Sequence, residues 1–210
     1  MRRTARLSLV LAGCAALGLA VPAHAGSAPA KLVVTDATDD ALSAPLTALT
    51  GGADELAKMT WTSTGTTTKR KVGKKTVTTY TPKNLVVILE TAGDIATDGT
   101  TQYDVEGSSD GCGDWYVYVT PGAALEAVFG SCDDDDSVDF GSASFAVAGK
   151  TITFTIPLGS VPGLKAGKSV TGLNAYTGFV DPVTGDLGPV FLGADGATDT
   201  APSDAAFKIV

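Results

Sequence analysis

From residue 26 onward the chain runs in short apolar and threonine-rich stretches, cut by Gly or Pro every ten residues or so. Strict alternation of apolar and polar positions marks a half-buried strand, whereas a helix repeats its apolar positions every three or four residues. Alternation is cleanest over 145–155, where Phe145, Val147, Ile152 and Phe154 share one side and Thr151, Thr153 and Thr155 the other. A two-residue turn at Gly149-Lys150 pairs Val147 with Ile152 and Phe145 with Phe154. The same Gly-Lys pair at Gly73-Lys74 predicts a second hairpin, joining 66–72 to 75–81. Residues 85–89, Leu-Val-Val-Ile-Leu, are apolar throughout and predict a strand covered on both faces.

A third hairpin is expected over 112–132, turning at Pro121-Gly122-Ala123. Pairing symmetrically about Gly122 sets Trp115 against Phe129, Val117 against Ala127, Val119 against Leu125 and Cys112 against Cys132. Directly opposed residues of an antiparallel pair lie about 4.5 to 5.5 Å apart at Cα, which suits a disulfide. Further strands are expected at 32–35, 58–63, 101–106, 169–180 and 205–210, with a single helical turn at most in 53–57 and in 158–164. The expected fold is all-β: one antiparallel two-sheet β-sandwich of eight to eleven strands over 26–210, with a disulfide-closed hairpin and little helix.

The first 25 residues have the form of a secretory signal. Arg2, Arg3 and Arg6 precede an apolar run from Leu7 to Val21, and Ala23-His24-Ala25 supplies a small-x-small cleavage pattern. The run is shorter than the roughly 20 apolar residues of a spanning helix, so a released extracellular protein with no membrane span is expected. Leu11-Ala12-Gly13-Cys14 offers an alternative, a lipid anchor on Cys14, although the chain stays apolar from Ala15 to Val21.

Removal of the leader changes the chemistry that remains. Fifteen basic residues less three leave 12 against 23 acidic ones, a net charge of −11. That balance speaks against nucleic acid, whose phosphates require a basic footprint. His24, the only histidine, leaves with the leader. The usual general base and the commonest ligand for zinc or haem iron go with it. Cys112 and Cys132, the two cysteines left, read as a disulfide in an oxidising compartment rather than as nucleophiles.

Four groups of residues are candidates for function. Tyr116 and Tyr118 fall opposite Trp115 on the disulfide hairpin, with Asp114 and Glu126, and rings flanked by carboxylates suit stacking against a sugar. The plainer reading is that tyrosine favours strands generally. Asp133, Asp134, Asp135, Asp136 and Asp139 are rich enough in oxygen for Ca²⁺, but they lack the EF-hand spacing and a solvated acidic loop is the plainer account. Asp36, Asp39 and Asp40 form a second acidic cluster, with Asp54 and Glu55 further on, and capping of turns is the plainer account. Lys69, Arg70, Lys71, Lys74 and Lys75 crowd one hairpin tip, where they either meet anionic wall polymers or guard an exposed edge. For catalysis only a carboxylate pair is left, as in glycoside hydrolysis, and nothing selects one from Glu55, Glu90, Glu106 and Glu126.

The segment Thr35-Asp36-Ala37-Thr38-Asp39-Asp40, together with Phe154-Thr155-Ile156-Pro157-Leu158 before Ser160-Val161, resembles DOMON-like secreted sandwiches and related carbohydrate-binding modules. The resemblance covers about a fifth of the chain and implies a two-sheet sandwich that binds a sugar or haem. Haem-binding members use His and Met as axial ligands, and after the leader this chain keeps only Met59, so no cofactor is expected. Sugar binders of the group stack their ligand on tryptophan, and here alternation places Trp61 and Trp115 in the core at least as readily as on a binding surface.

The expectation is therefore a secreted, monomeric, non-catalytic binding or surface module, with extracellular polysaccharide or a cell-wall polymer as the leading partner. A calcium-dependent adhesive module and a carboxylate-only hydrolase are the alternatives.

Overall fold

A computed structural model describes residues 29–36, 53–123, 129–132, 143–180, 197–200 and 205–210. They contain eleven strands and no helix: β1 (Lys31–Thr35), β2 (Leu56–Val72), β3 (Lys75–Thr91), β4 (Thr101–Ser109), β5 (Gly113–Val119), β6 (Phe129–Cys132), β7 (Ser144–Ala148), β8 (Thr151–Pro157), β9 (Ser169–Phe179), β10 (Ala197–Thr200) and β11 (Phe207–Lys208). They form two antiparallel sheets, ordered β1-β2-β3-β8-β7 and β10-β9-β4-β5-β6, with β11 paired to β9. Among the described residues no helix is long and apolar enough to cross a membrane.

Both Gly-Lys turns form as the alternation requires. Val147 pairs with Ile152 and Phe145 with Phe154, while Val72 pairs with Lys75 across Gly73-Lys74. Gly73 and Gly149 take φ of 62° and 56°, a left-handed conformation that glycine adopts without steric penalty. β3 is central, between β2 and β8, as an all-apolar run demands. Leu85, Val87 and Leu89 point into the core, Val86 on the other face is also buried and Ile88 is half-buried.

Two expected pairs of strands merge. The segments 58–63 and 66–72 are one strand, β2, and 75–81 and 85–89 are one strand, β3. The pairing passes through an irregularity at Thr64/Gly65, beyond which Gly65 lies opposite Pro82. A Cβ on Gly65 would stand 2.1 Å from the Thr81 carbonyl oxygen, so the close crossing of the chains needs glycine. A Gly and a Pro that look like strand breakers thus sit together at a bulge.

The disulfide hairpin departs from its expected register. Trp115 pairs with Cys132, Val117 with Gly130 and Tyr118 with Phe129, a shift of three residues from symmetry about Gly122. The reason lies in the turn, which is tied to a neighbouring loop: Gly99 N–H donates to the Pro121 carbonyl at 2.9 Å. Gly122, with φ of 82°, presses so close to Thr97 that a Cβ would stand 2.0 Å from its carbonyl oxygen. Val119 accordingly pairs with Tyr103 of β4, while Leu125 and Ala127 lie outside the described residues. Cys112 falls in the turn between β4 and β5 and still bonds to Cys132, with Cα atoms 5.3 Å apart. The expected turns at 53–57 and 158–164 contain turns without helix, and the last strand shrinks to Phe207–Lys208.

The inward rows of both sheets join in one apolar cluster, with Met59, Trp61, Leu85, Val87 and Phe154 from one and Tyr103, Val105, Trp115, Val117 and Leu173 from the other. Gly107 lies across from Trp115, and a Cβ there would come within 2.7 Å of the indole. The absent side chain is what lets Trp115 lie against β4.

Candidate functional site

Alternation buries the odd-numbered residues of β4 and β5 and turns the even-numbered ones outward. Gln102, Asp104 and Glu106 of β4 therefore share a face with Asp114, Tyr116 and Tyr118 of β5. Strand pairing adds Asn174 and Tyr176 from β9. Asn174, Glu106 and Tyr116 lie in one row across the sheet, and Tyr176, Asp104 and Tyr118 in the next. The two rows, two residues apart along the strands, are separated by about 7 Å.

The Tyr116 and Tyr118 rings are stacked, with centroids 6.1 Å apart and planes inclined by 22°. Both residues are half-buried. Beside Tyr116 a depression of about 230 Å³ is lined by Glu106, Asp114, Tyr116 and Asn174, with Gly107 and Gly172 in its lining. Gly172 contributes no side chain, and a Cβ there would meet nothing closer than Ser108 at 3.7 Å, which leaves room for a ligand to approach the backbone.

The polar groups are ordered among themselves. Asn174 Nδ2 donates to the Tyr176 hydroxyl at 3.2 Å, and that hydroxyl is hydrogen-bonded to Glu106. Burial, with the negative charges of Glu106 and Asp104 adding to it, pushes the Tyr176 phenol up to about 12. Burial also raises Tyr118. Asp104 is the most constrained group: burial first, then the Glu106 carboxylate, hold it well above the usual carboxylate range, against opposing bonds from Val105 and Gln102. Its Oδ1 is closed off from solvent with no hydrogen-bond partner among the described residues.

Of the residues singled out in the sequence, Asp114, Tyr116 and Tyr118 come together on this face, whereas Glu126 lies outside the described residues. So do Asp133, Asp134, Asp135, Asp136 and Asp139, and with them the candidate calcium loop. Asp39 and Asp40 lie outside as well. Asp36 is anchored where β1 ends, its N–H donating to the Ala57 carbonyl at 3.1 Å, and Asp54 and Glu55 are buried in the turn before β2. Among the described residues no three His, Cys, Asp or Glu side chains are grouped to hold a metal ion. Lys69, Arg70, Lys71, Lys74 and Lys75 are all exposed at the β2–β3 tip.

Sequence reasoning missed Asp104, Asn174 and Tyr176 as members of this face. Alternation in β4 and β9 marks them as outward, but nothing in the chain says that β4 and β9 lie beside β5. No protein-family model matches the chain, and neither does any curated protein or solved structure.

Proposed function

We propose that the protein is a secreted, non-catalytic carbohydrate-binding module, in which residues 26–210 form a two-sheet sandwich and the outward face of β9-β4-β5 carries the sugar. The observation that carries the reading is the Tyr116–Tyr118 stack, 22° from coplanar, beside a row of hydrogen-bonding side chains. A pyranose presents an apolar C–H face and a rim of hydroxyls. Stacked rings take the first and carboxylate or amide oxygens the second, so a platform of this composition fits one or two sugar units of a polymer.

The other parts of the proposal are supported more broadly. The shared core and the edge-to-face contact of Trp61 with Trp115 across the two sheets support face-to-face packing. The signal-like residues 1–25 and the disulfide agree with export. Two features support binding rather than catalysis: residues 26–210 hold no histidine, and Asp104 and Glu106 stand on one strand side by side instead of on facing walls. The resemblance to DOMON-like modules points to the same ligand class.

The test is retention of the purified protein on insoluble and immobilised neutral polysaccharides, with Tyr116→Ala and Glu106→Gln alongside. Retention of the wild type, weakened at least tenfold in Tyr116→Ala with the melting temperature little changed, is the expected result. Failure of every neutral polysaccharide to hold the wild type ends the proposal.

A further inference from the structure

The distal halves of β2 and β3 leave the body of the protein. β1 pairs with β2 only as far as Thr62, and β8 pairs with β3 only from Asn84. Between them, from Gly65 to Val72 and from Lys75 to Pro82, the two strands bond only to each other among the described residues. At roughly 3.3 Å per residue this ribbon is about 25 Å long. Residues 64–76 are exposed without interruption. The bulge at Gly65 and Pro82 sets its base.

Charge on the ribbon is confined to its end. Lys69, Arg70, Lys71, Lys74 and Lys75 fall within seven residues, and 64–82 hold no carboxylate. With net charge −11 after the leader and +5 at the tip, the remainder carries −16. Neither ion pair of the described residues, Lys58–Glu90 or Lys168–Asp110, involves the tip.

Edge protection does not account for this distribution. Lysines that guard a free edge belong along the edge. Here the free edges nearest the body, Gly65 to Thr68 and Thr76 to Pro82, are uncharged and rich in threonine, while the cations crowd the last turn. Crowding like charges around one turn costs stability through mutual repulsion. The register sharpens the point. Lys69 and Lys71 share one face of the ribbon, Arg70 and Lys75 the other, and Lys74 caps the end, so cations surround the tip on all sides.

We propose that this arm is a second binding site, one that docks the protein on a linear polyanion, a polymer bearing phosphate or carboxylate groups along its length. Arm length decides between such a partner and simple repulsion by the acidic body. The Debye length at physiological salt is about 8 Å, about a third of the arm, so the tip meets an anionic chain as a separate cationic unit. Cations on every side suit a flexible chain that wraps the tip better than a flat surface that touches one face. The site is independent of the Tyr116–Tyr118 platform, which lies on the other sheet.

Sedimentation or affinity chromatography of the full protein tests this, with long-chain inorganic polyphosphate and polygalacturonate as separate probes, neutral dextran as control, and vesicles of anionic phospholipid in a further arm. The expected result is retention by one or both polyanions, with log K falling against log salt at a slope of about −3 to −4 for five neutralised charges. Which of the two probes binds names phosphate or carboxylate as the partner group. Lys69→Gln/Arg70→Gln/Lys71→Gln/Lys74→Gln/Lys75→Gln should lose at least tenfold in affinity. A control with exposed cations removed elsewhere, Lys31→Gln/Lys165→Gln/Lys208→Gln, should bind as wild type. Absence of wild-type binding to both polymers at low salt, equal losses in the tip and control variants, or binding to vesicles alone would each overturn the proposal.

Discussion

Trp61 of β2 meets Trp115 of β5 edge to face, with ring centroids 6.2 Å apart and planes at 63°, so the two sheets touch through their largest fully buried side chains. Neither indole N–H has a hydrogen-bond partner among the described residues. The contact joins residues more than fifty positions apart in the chain and couples β2 to the strand that carries Tyr116 and Tyr118. Replacing Trp115 by alanine should lower stability by about 3 to 5 kcal/mol. Trp115→Phe keeps an aromatic ring against Trp61 and removes an unpartnered N–H, so it should cost less. Denaturant midpoints of the two variants check this order, and an equal cost for both would show that the ring contact contributes little.

Tyr103 carries a second long connection. Its hydroxyl donates to the Ala53 carbonyl at 3.0 Å and accepts from the Ala96 N–H at 2.9 Å, tying two loops to β4. Burial pushes its phenol far above the ordinary value. Tyr103→Phe preserves the ring but leaves both backbone groups without this partner, so a loss of about 1 to 3 kcal/mol is expected. Faster amide exchange at Ala96 in that variant would confirm the route; unchanged protection would contradict it.

Asp104 makes stability depend on pH in an unusual direction for a carboxylate. Its folded-state pKa is raised by burial and by Glu106. The folded state therefore holds the proton more tightly than the unfolded chain, and stability falls as pH rises from the ordinary aspartate range through the raised value. The penalty is absent below that window and complete above it. Asp104→Asn should raise the melting temperature at neutral pH and flatten this part of the profile, as thermal scans at intervals from acid to neutral pH would reveal. A lower melting temperature at neutral pH in the variant would contradict the assignment.

The Cys112–Cys132 bond encloses a loop with a sequence separation of 20, and joins the β4–β5 turn to the residue opposite Trp115. On the chain-entropy model its loss should cost about 3 kcal/mol. Chemical denaturation of Cys112→Ser/Cys132→Ser against the wild type measures it. Because the bond anchors β6 beside Tyr116 and Tyr118, the double variant should also weaken the polysaccharide binding proposed for that face.

Local pattern was enough wherever a contact was close in sequence. Period-two alternation placed Phe145 opposite Phe154 and Val147 opposite Ile152, and glycine's freedom at Gly73 and Gly149 set both turns. The all-apolar run at 85–89 marked a central strand, and Cys112 and Cys132 marked a disulfide. These properties follow from side-chain volume, polarity and backbone freedom, which each residue brings with it. The three-residue shift of the disulfide hairpin did not follow, because Gly122 is held by Thr97 and Pro121 by Gly99, partners supplied by another loop. Nor did the fusion of four expected strands into two, since Gly65 and Pro82 read singly as breaks and only face to face as a bulge. The order β9-β4-β5 brought Asn174, Tyr176, Asp104 and Glu106 beside Tyr116 and Tyr118. Strand order is decided by which surfaces bury together once the whole chain has folded, and alternation along a single strand, which tells inside from outside, carries no information about the neighbour.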